Sequence, residues 1–291
     1  MPVRVYVMLD GQAPLPELVS MMELWKKTPE LGRLTVRSVK MYSDGALGSR
    51  GAALFEPYSD DPGNLGLRVT EQEELTRRVR EVVARGYQPN VHAIGDRASA
   101  GVLEAFVAAG EAAKALRPRV EHLQILQPKD VPLLKQSGAI ASMQPTHCTS
   151  DAPWAEARLG HGTARQKGAY AWRQALEAGA VLALGSDFPI EDPDPRGGLF
   201  SAETRRPAGG PFGPEGWMPE QRLTRQEALE GFTKGAAYAA FAEGRRGMIR
   251  VGMDADLTAF GGDVMAVPVD ALPKLPIRLT VVGGRVEHEK P

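Results

Sequence analysis

The sequence predicts an α/β fold built on a parallel sheet, and three observations indicate this class. Short, nearly continuous apolar runs rich in β-branched residues recur along the chain, which is typical of strands buried on both faces. Helical patterns with start and stop signals separate these runs. No G-x-G-x-x-G motif follows a predicted strand, so a dinucleotide-binding fold has no support. The regular alternation leaves a doubly wound sheet and a (β/α) barrel as candidates.

Six apolar runs are predicted as the strands of this sheet. They are Val3–Leu9, Val36–Tyr42, Pro89–Ala93, Arg119–Ile125, Ala139–Gln144 and Val181–Ser186. The predicted helices are Pro14–Lys27, Thr70–Gly86, Ala98–Leu116, Pro128–Gln136, Tyr170–Ala178 and Thr224–Ala242. Thr70 and Thr224 each stand three residues before a glutamate, which is the spacing of a capping box. Glycine or proline ends several of these helices.

Three connections leave the carboxyl end of a predicted strand and are too long for simple turns. They are Ser43–Val69, Pro145–Gly168 and Asp187–Leu223. Long ordered loops are usually functional, and the active site of a parallel barrel lies at this end of its strands. The tail differs, because short strands with glycine turns are predicted at Met248–Val251, Asp256–Phe260, Leu279–Val282 and Arg285–His288. We therefore expect an α/β domain in residues 1–247 and a small β appendage in residues 248–291.

Composition excludes several functional classes. The 35 basic and 36 acidic residues give a formal net charge of −1, whereas a nucleic-acid surface needs a basic excess. No apolar run approaches the length of a membrane span, and the N-terminus lacks the features of a signal peptide. Cys148 is the one cysteine, so no intrachain disulfide can form and a reducing, cytoplasmic location is expected. The 291 residues suffice for one large domain with an appendage.

Four ionisable side chains lie on different predicted strands, near the same end. They are Lys40, His92, His122 and Asp187. Each residue alone has an ordinary explanation. A histidine can be hydrogen-bonded within the packed core, an aspartate can stabilise a turn or cap a helix, and a lysine can point outward at a sheet edge. Burying all of them together is costly unless they pair or bind a metal ion, and imidazole and carboxylate are natural ligands of Zn²⁺. The pattern favours a metal site that lowers the pKa of a bound water, whose proton Asp187 accepts.

Longer motifs extend this pattern over nearly the whole chain. In order they are Val39–Leu54, Glu56–Asp60, His92–Ala98, Glu121–His122, Met143–Asp151, Gly185–Pro189, Gly252–Leu257 and Thr280–Val286. Together they resemble the amidohydrolase superfamily, and more narrowly its amidohydrolase-3 branch, which includes N-substituted formamide deformylases. Each stretch alone is a weak signal, whereas the ordered combination is specific.

The resemblance implies a (β/α)₈ TIM-type barrel with a one- or two-metal site at the carboxyl ends of the strands, and a small β-sandwich built from both chain termini. By position, His92 and His122 match metal-binding histidines of the fifth and sixth strands. Asp187 matches the aspartate after the eighth strand, which binds metal and acts as general base and acid. Lys40 matches a fourth-strand lysine that is carboxylated and bridges two metals in many members. His147 resembles a histidine that polarises a substrate carbonyl, although a histidine that fixes its own loop is an equal alternative.

The implied chemistry is hydrolysis of an amide or other non-peptide C–N bond in a small molecule, by water activated on a divalent metal, expected to be zinc. Other polar residues receive lesser roles. Asp44 and Arg50 are expected to shape the loop after Lys40, and Asp96 to cap a helix. Nothing in the sequence supports Cys148 as a nucleophile.

One departure from the family pattern is large. The family's first barrel strand ends in a His-x-His pair that supplies two ligands, and this sequence contains no His-x-His. Counting back from Asp187 as the end of strand eight makes Val3–Leu9 strand three, so strands one and two and half of the sandwich are missing. We expect a truncated barrel of strands 3–8 with a partial sandwich, weak or no metal binding, and little or no activity.

Two explanations of the short chain stay open: a fragment of a longer enzyme, or a natural short product whose barrel another chain completes. Bare strand edges favour a homo-oligomer with intermolecular sheet contacts. The alternative function is a non-catalytic degenerate barrel that serves as a binding or assembly module. A metal-free sugar-phosphate barrel is less favoured, because no glycine-rich phosphate loop follows a late strand.

Overall fold

The structure, a computed structural model, describes residues 3–28 and 32–290. Met1 and Pro2, which precede the predicted strand Val3–Leu9, lie outside the described residues. The chain divides into two compact units. The larger unit consists of Val5–Met143 and Trp154–Val181, apart from residues 29–31. The smaller unit contains the described residues of Met1–Arg4, Gln144–Pro153 and Leu182–Pro291.

A parallel sheet forms the centre of the larger unit. Its strands are β1 (Val5–Asp10), β2 (Leu34–Tyr42), β3 (Gln88–Ala93), β4 (Arg119–His122) and β5 (Ile140–Met143), and they stand in chain order. Each strand runs parallel to the next, and parallel neighbours joined by helices are the repeating unit of an α/β barrel. The strand predicted to reach Ile125 ends early, because His122 and Leu123 adopt φ angles of 76° and 42°. This left-handed backbone cannot continue a strand.

The helices follow the predicted order along the chain. They are α1 (Leu15–Lys26), α2 (Gln72–Ala84), α3 (Asp96–Ala115), α4 (Pro132–Ser137), α5 (Pro145–Leu159), α6 (Ala164–Lys167), α7 (Trp172–Glu177), α8 (Pro195–Thr204), α9 (Arg225–Glu230) and α10 (Ala236–Ala239). A π-helical turn, Gly231–Gly235, joins α9 to α10. The capping box at Thr224 is confirmed. The one predicted at Thr70 is wrong, because α2 begins at Gln72 and Glu71 is its N-cap.

Two of the three predicted long connections contain helices. Most of Pro145–Gly168 forms α5 and α6, so the prediction of an irregular loop is wrong there. Pro145 stands at the first position of α5, where a missing N–H removes no helical hydrogen bond. The connection Asp187–Leu223 holds α8, whose N-cap Asp194 accepts a hydrogen bond from the Arg196 N–H. In contrast, Ser43–Val69 has no helix among its residues.

The two faces of the parallel sheet differ in polarity because successive side chains alternate along each strand. One face carries buried apolar residues: Val39, Met41, Val91, Ala93 and Val120. Helices α2 and α3 contact β3 and bring further apolar side chains into this core. The alternate positions are polar: Ser38, Lys40, Gln88, Asn90 and Glu121. A sheet with one polar face places charged side chains beside one another where the strands end.

The smaller unit contains the short strand β6 (Leu182–Leu184) and an antiparallel sheet of β7 (Leu257–Phe260), β8 (Ile277–Val282) and β9 (Arg285–Glu289). The strand predicted at Met248–Val251 is wrong. Ile249 and Val251 are 91% and 101% exposed in a loop, and no described strand of this unit pairs with them. Whether the tail forms part of a β-sandwich stays a prediction. None of the described helices is long and apolar enough to cross a membrane.

Candidate metal centre

Three of the predicted site residues lie together at the carboxyl ends of β2, β3 and β4, within the larger unit. His92 pairs in register with Tyr42 on β2, and Ala93 pairs with His122 on β4. The ring centroids of His92 and His122 are 4.7 Å apart, with the ring planes at 71°. Lys40, two residues before Tyr42, places its Nζ 4.9 Å from the Tyr42 ring centroid. The parallel register thus brings a lysine and two histidines to one edge of the sheet.

The backbone at His122 adopts a conformation that non-glycine residues rarely use. Its φ of 76°, followed by 42° at Leu123, lies in the left-handed region, which costs about 1–3 kcal/mol at a residue with a side chain. Asp187, in the smaller unit, also has a positive φ, of 61°. Such strain collects at functional sites because it directs side chains where a regular strand would not. The strand end therefore turns at the point where a ligand side chain is expected.

The imidazole of His92 is held through one ring nitrogen. Its Nε2 lies 3.4 Å from the carbonyl oxygen of Gly45 and 3.5 Å from Oδ1 of Asp44. Burial, together with the Lys40 cation, lowers the pKa of His92 to about 4. The ring is therefore neutral at pH 7, which is the form that binds a metal ion.

The two histidines fit a shared metal ion. A zinc ion binds an imidazole nitrogen at about 2.0–2.1 Å, so two rings on one ion have centroids roughly 5 Å apart. The observed 4.7 Å separation of His92 and His122 satisfies this condition. The Nε2 of His92 faces an acceptor, which leaves Nδ1 as the ligand atom, and metal-binding histidines usually donate their other N–H in this way. The neutral charge and orientation of His92 both suit a metal ligand.

The loop after β2 is fixed by two buried carboxylates rather than open to solvent. Asp44 accepts hydrogen bonds from the backbone N–H groups of Ala53, Ile94 and Gly95. Burial raises the pKa of the Asp44 carboxyl to about 7, whereas these backbone donors act to lower it. Asp96, predicted to be a helix cap, instead bonds the backbone N–H of Phe55 and of Arg97. The expected role of Asp44 in shaping this loop is seen directly in these bonds.

A second pair of predicted residues lies within the smaller unit. The Nε2 of His147 is 3.8 Å from Oδ2 of Asp187. His147 lies on helix α5 and is 8% exposed. The sequence predicts a loop at this position, and that prediction is wrong. The Asp187 side chain is 39% exposed, and this residue stands three positions after Leu184, the last residue of β6. A partly exposed carboxylate beside an imidazole can accept and release a proton at a site open to substrate.

The neighbouring residues of this pair have different characters. Phe188 and Ile190, which follow Asp187, are 67% and 72% exposed. Cys148, next to His147, is fully buried, and burial raises the pKa of its thiol to about 11. A thiol of this kind stays protonated at neutral pH and is a poor nucleophile. The absence of a predicted role for Cys148 therefore agrees with its surroundings.

Two polar residues near the site receive no role from the sequence pattern. Glu121, directly before His122, forms an ion pair with Arg119 at 2.7 Å. Asn90, two residues before His92, is fully buried, and neither polar atom of its side chain has a hydrogen-bond partner among the described residues. Both occupy the polar face of the sheet. The alternation of side chains along β3 and β4 could have identified both residues. Asn90 stands two residues before His92, and Glu121 stands two residues after Arg119.

Comparison with known proteins identifies the family of this chain. A family model described as the amidohydrolase family matches residues 1–288. The chain belongs to the amidohydrolase family. The match confirms the resemblance carried by the sequence motifs, including its amidohydrolase-3 branch.

Curated relatives of this amidohydrolase chain are longer than the chain itself. The Bacillus subtilis (strain 168) protein YtcJ, which carries an amidohydrolase name, is 36% identical over 253 residues, covering 87% of this chain and 47% of YtcJ. Protein LONG AFTER FAR-RED 3 of Arabidopsis thaliana is 35% identical over 257 residues, covering 87% of this chain and 43% of that protein. The chain spans about half the length of these relatives.

Solved structures support the same fold class. An uncharacterized metal-dependent hydrolase from Pyrococcus horikoshii gives a TM-score of 0.80 at 28% identity, over 92% of this chain and 52% of that one. A similarly described protein from Pyrococcus furiosus gives 0.73 at 30% identity, over 87% of this chain and 49% of that one. A triazine hydrolase variant gives 0.63 at 16% identity, covering 99% of this chain and 61% of that one, and is evidence of fold alone. The amidohydrolase chain therefore has an α/β, TIM-like barrel fold.

Proposed function

We propose that this chain carries the metal centre of a metal-dependent hydrolase that cleaves an amide or other non-peptide C–N bond in a small molecule. The observation that supports this most is the pairing of His92 and His122, with neutral His92 and ring centroids 4.7 Å apart at the strand ends. Related proteins described as metal-dependent hydrolases share the fold at 28–30% identity. The reaction class follows from the family and the ligand types together.

The proposed ligands are Lys40, His92, His122 and Asp187, and the ion is a divalent metal, with zinc as the leading identity. His122, His147 and Asp187 each offer a ligand atom of the kind such ions prefer. We propose that Lys40 is carboxylated, because carboxylation converts the cation of this half-buried side chain into an anionic ligand. These assignments extend the family pattern to this chain residue by residue.

The chain's own residues then divide the catalytic work. When bound, the ion supplies a water of lowered pKa and polarises the substrate carbonyl. The Asp187 carboxylate accepts a proton from the attacking water and delivers it to the departing nitrogen. His147, whose Nε2 lies 3.8 Å from that carboxylate, holds the substrate carbonyl oxygen. The exposed side chains beside Asp187 line the space through which a substrate enters.

The proposed organisation keeps residues 1–247 as the partial barrel and residues 248–291 as part of a β-sandwich. Because the chain contains no His-x-His pair, we propose that it hydrolyses its substrates weakly or not at all when alone. Cys148, the only cysteine, supports a reducing, cytoplasmic location.

A non-catalytic assembly module is the second candidate function, and the position of β1 favours it. This strand stands at one end of the sheet order, and its residues Val5, Tyr6 and Val7 are only half-buried. An unpaired strand edge is a template for another chain, so we propose a homo-oligomer. Size-exclusion chromatography with light scattering should show more than one copy, whereas a monomer at micromolar concentration would contradict the oligomer.

Zinc binding by the purified chain tests the primary proposal. Titration calorimetry in bicarbonate buffer should show binding that His92→Asn and His122→Asn each weaken at least tenfold. Asparagine suits position 122 because it tolerates left-handed backbone. His161→Asn is the matched control, since the His161 side chain is 88% exposed, and it should bind zinc like the native chain. Equal affinity in all four proteins would exclude the proposed centre.

A further inference from the structure

Asp44 is a buried carboxylate for which the proposed reaction has no use. It follows Ser43 at the end of β2, and its side chain is 0% exposed. Oδ2 accepts the backbone N–H groups of Ala53 and Gly95, each at 2.8 Å. Oδ1 accepts the N–H of Ile94 at 3.0 Å. Both carboxylate oxygens are therefore committed to backbone donors.

These bonds join two segments that are distant in sequence. Ala53 belongs to the loop after β2, whereas Ile94 and Gly95 form the turn between β3 and α3. That turn begins two residues after His92, and the N–H of Ser43 donates to the His92 carbonyl oxygen at 2.9 Å. The carbonyl group of His92 and the backbone that follows it are thus tied to the segment that carries Asp44.

Asp44 also reaches the imidazole of His92 itself. Its Oδ1 lies 3.5 Å from the His92 Nε2, and the carbonyl oxygen of the next residue, Gly45, lies 3.4 Å from the same nitrogen. Two acceptors on one ring nitrogen favour the tautomer that carries its hydrogen there. The lone pair then lies on Nδ1, the nitrogen available for a metal ion. A carboxylate or carbonyl behind a ligand histidine fixes its orientation and raises its basicity.

We propose that Asp44 is a positioning residue that sets the tautomer and orientation of His92 for metal binding. It does so through the backbone of Ile94 and Gly95 and, together with the Gly45 carbonyl, through the His92 Nε2. This inference rests on the proposed metal centre for its function, although the tautomer can be observed without metal. Asp44 touches neither the ion nor the substrate in this account.

Asp96 provides a matched comparison for a purely structural role. It is also fully buried and accepts hydrogen bonds from the backbone N–H groups of Phe55 and Arg97, at 3.0 and 2.8 Å, and from the Gln127 side chain. It ties the same loop to the same helix but makes no hydrogen bond or ion pair with His92. Replacing Asp96 should therefore loosen the loop but should not change the His92 tautomer or the metal affinity, as replacing Asp44 should.

Two readouts separate positioning from loop stability. In the metal-free chain labelled with ¹⁵N-histidine, long-range ¹H–¹⁵N correlations should show His92 with its hydrogen on Nε2. Asp44→Asn should convert this signal to a mixture of tautomers, and it should weaken Co²⁺ binding about 10–100-fold. Asp96→Asn should lower the midpoint of thermal unfolding, keep the His92 tautomer, and leave Co²⁺ affinity within about threefold of native.

Several results would overturn the inference. A hydrogen on Nδ1 of His92 in the native chain would overturn it directly. This measurement needs no variant, so it remains decisive if Asp44→Asn fails to fold. An unchanged tautomer and unchanged Co²⁺ affinity in a folded Asp44→Asn chain would also do so, and would leave the metal centre standing. A native chain with the Nε2–H tautomer that binds neither Co²⁺ nor Zn²⁺ would refute the metal centre while supporting the orientation of His92 by Asp44.

Discussion

Gly95 is the residue at which a single methyl group should disturb both stability and the metal centre. It is the N-cap of α3, with φ −67° and ψ 155°, a conformation that alanine adopts without strain. A Cβ built there would lie 2.0 Å from the Ala53 carbonyl oxygen and 2.5 Å from its carbon. The Gly95 N–H donates to Asp44 at 2.8 Å. The replacement Gly95→Ala therefore tests a close backbone approach at a residue whose φ and ψ suit alanine.

The expected loss in the free energy of unfolding follows from these contacts. The clash is with backbone, so the loop and the turn must separate, and overpacking of this kind costs about 1–3 kcal/mol or more. Separation would also weaken the Gly95 bond to Asp44 and the bond from the Arg97 N–H to the Ala53 carbonyl oxygen, each worth about 1–3 kcal/mol when a buried partner is left unpaired. We expect a total of about 3–5 kcal/mol, with Zn²⁺ affinity reduced as well.

Urea unfolding followed by circular dichroism measures this loss. The control is Gly51→Ala in the same loop, where a Cβ would meet its nearest atom at 3.4 Å, an ordinary contact. This variant should stay within about 0.5 kcal/mol of the native chain. A loss below about 1 kcal/mol in Gly95→Ala, or equal losses in the two variants, would refute the close approach of the loop to α3.

Two further predictions concern pH and a buried arginine. The pKa of His92 is lowered by burial to about 4 in the folded chain against 6.5 when unfolded, so the unfolded chain gains a proton first as pH falls. The metal-free chain should thus lose stability between pH 6.5 and 4, by at most about 3 kcal/mol. A His92→Asn chain with the same loss over this range would contradict the prediction. Arg165, 4% exposed, donates to the carbonyl oxygens of Leu159, Glu56 and Pro57 and to the Ser59 hydroxyl. Lysine cannot reach all of these acceptors, so Arg165→Lys should lower the free energy of unfolding by about 2–4 kcal/mol. The control is Arg77→Lys at an exposed position of α2. Equally small changes in the two variants would contradict the prediction.

Much of the fold follows from local patterns in the sequence. The strands from Val5 to Met143 are short and β-branched, and the helices between them have clear end signals, so their order is predictable. Lys40, His92 and His122 stand at the ends of neighbouring strands, and parallel register alone brings them to one edge. Their proximity was therefore predictable once the strands were known.

Other features depend on contacts between distant parts of the chain. The hydrogen bonds of Asp44 reach Ile94 and Gly95, separated from it by 50 and 51 positions, and no local pattern encodes them. The left-handed backbone at His122 is equally hidden, because only a few per cent of residues other than glycine adopt it. The apolar run Met248–Val251 resembles a strand, but a strand forms only where a partner pairs with it, and none of the described residues of its unit does.

The most direct test of the central claim is anomalous diffraction from crystals of this chain grown with Zn²⁺, with data collected on both sides of the zinc absorption edge. We expect a zinc peak at the ends of β3 and β4, with one nitrogen of His92 and one of His122 at about 2.0–2.1 Å from the ion. Zinc found only at exposed histidines such as His161 and His288, with no peak at His92 and His122, would contradict the proposed metal centre.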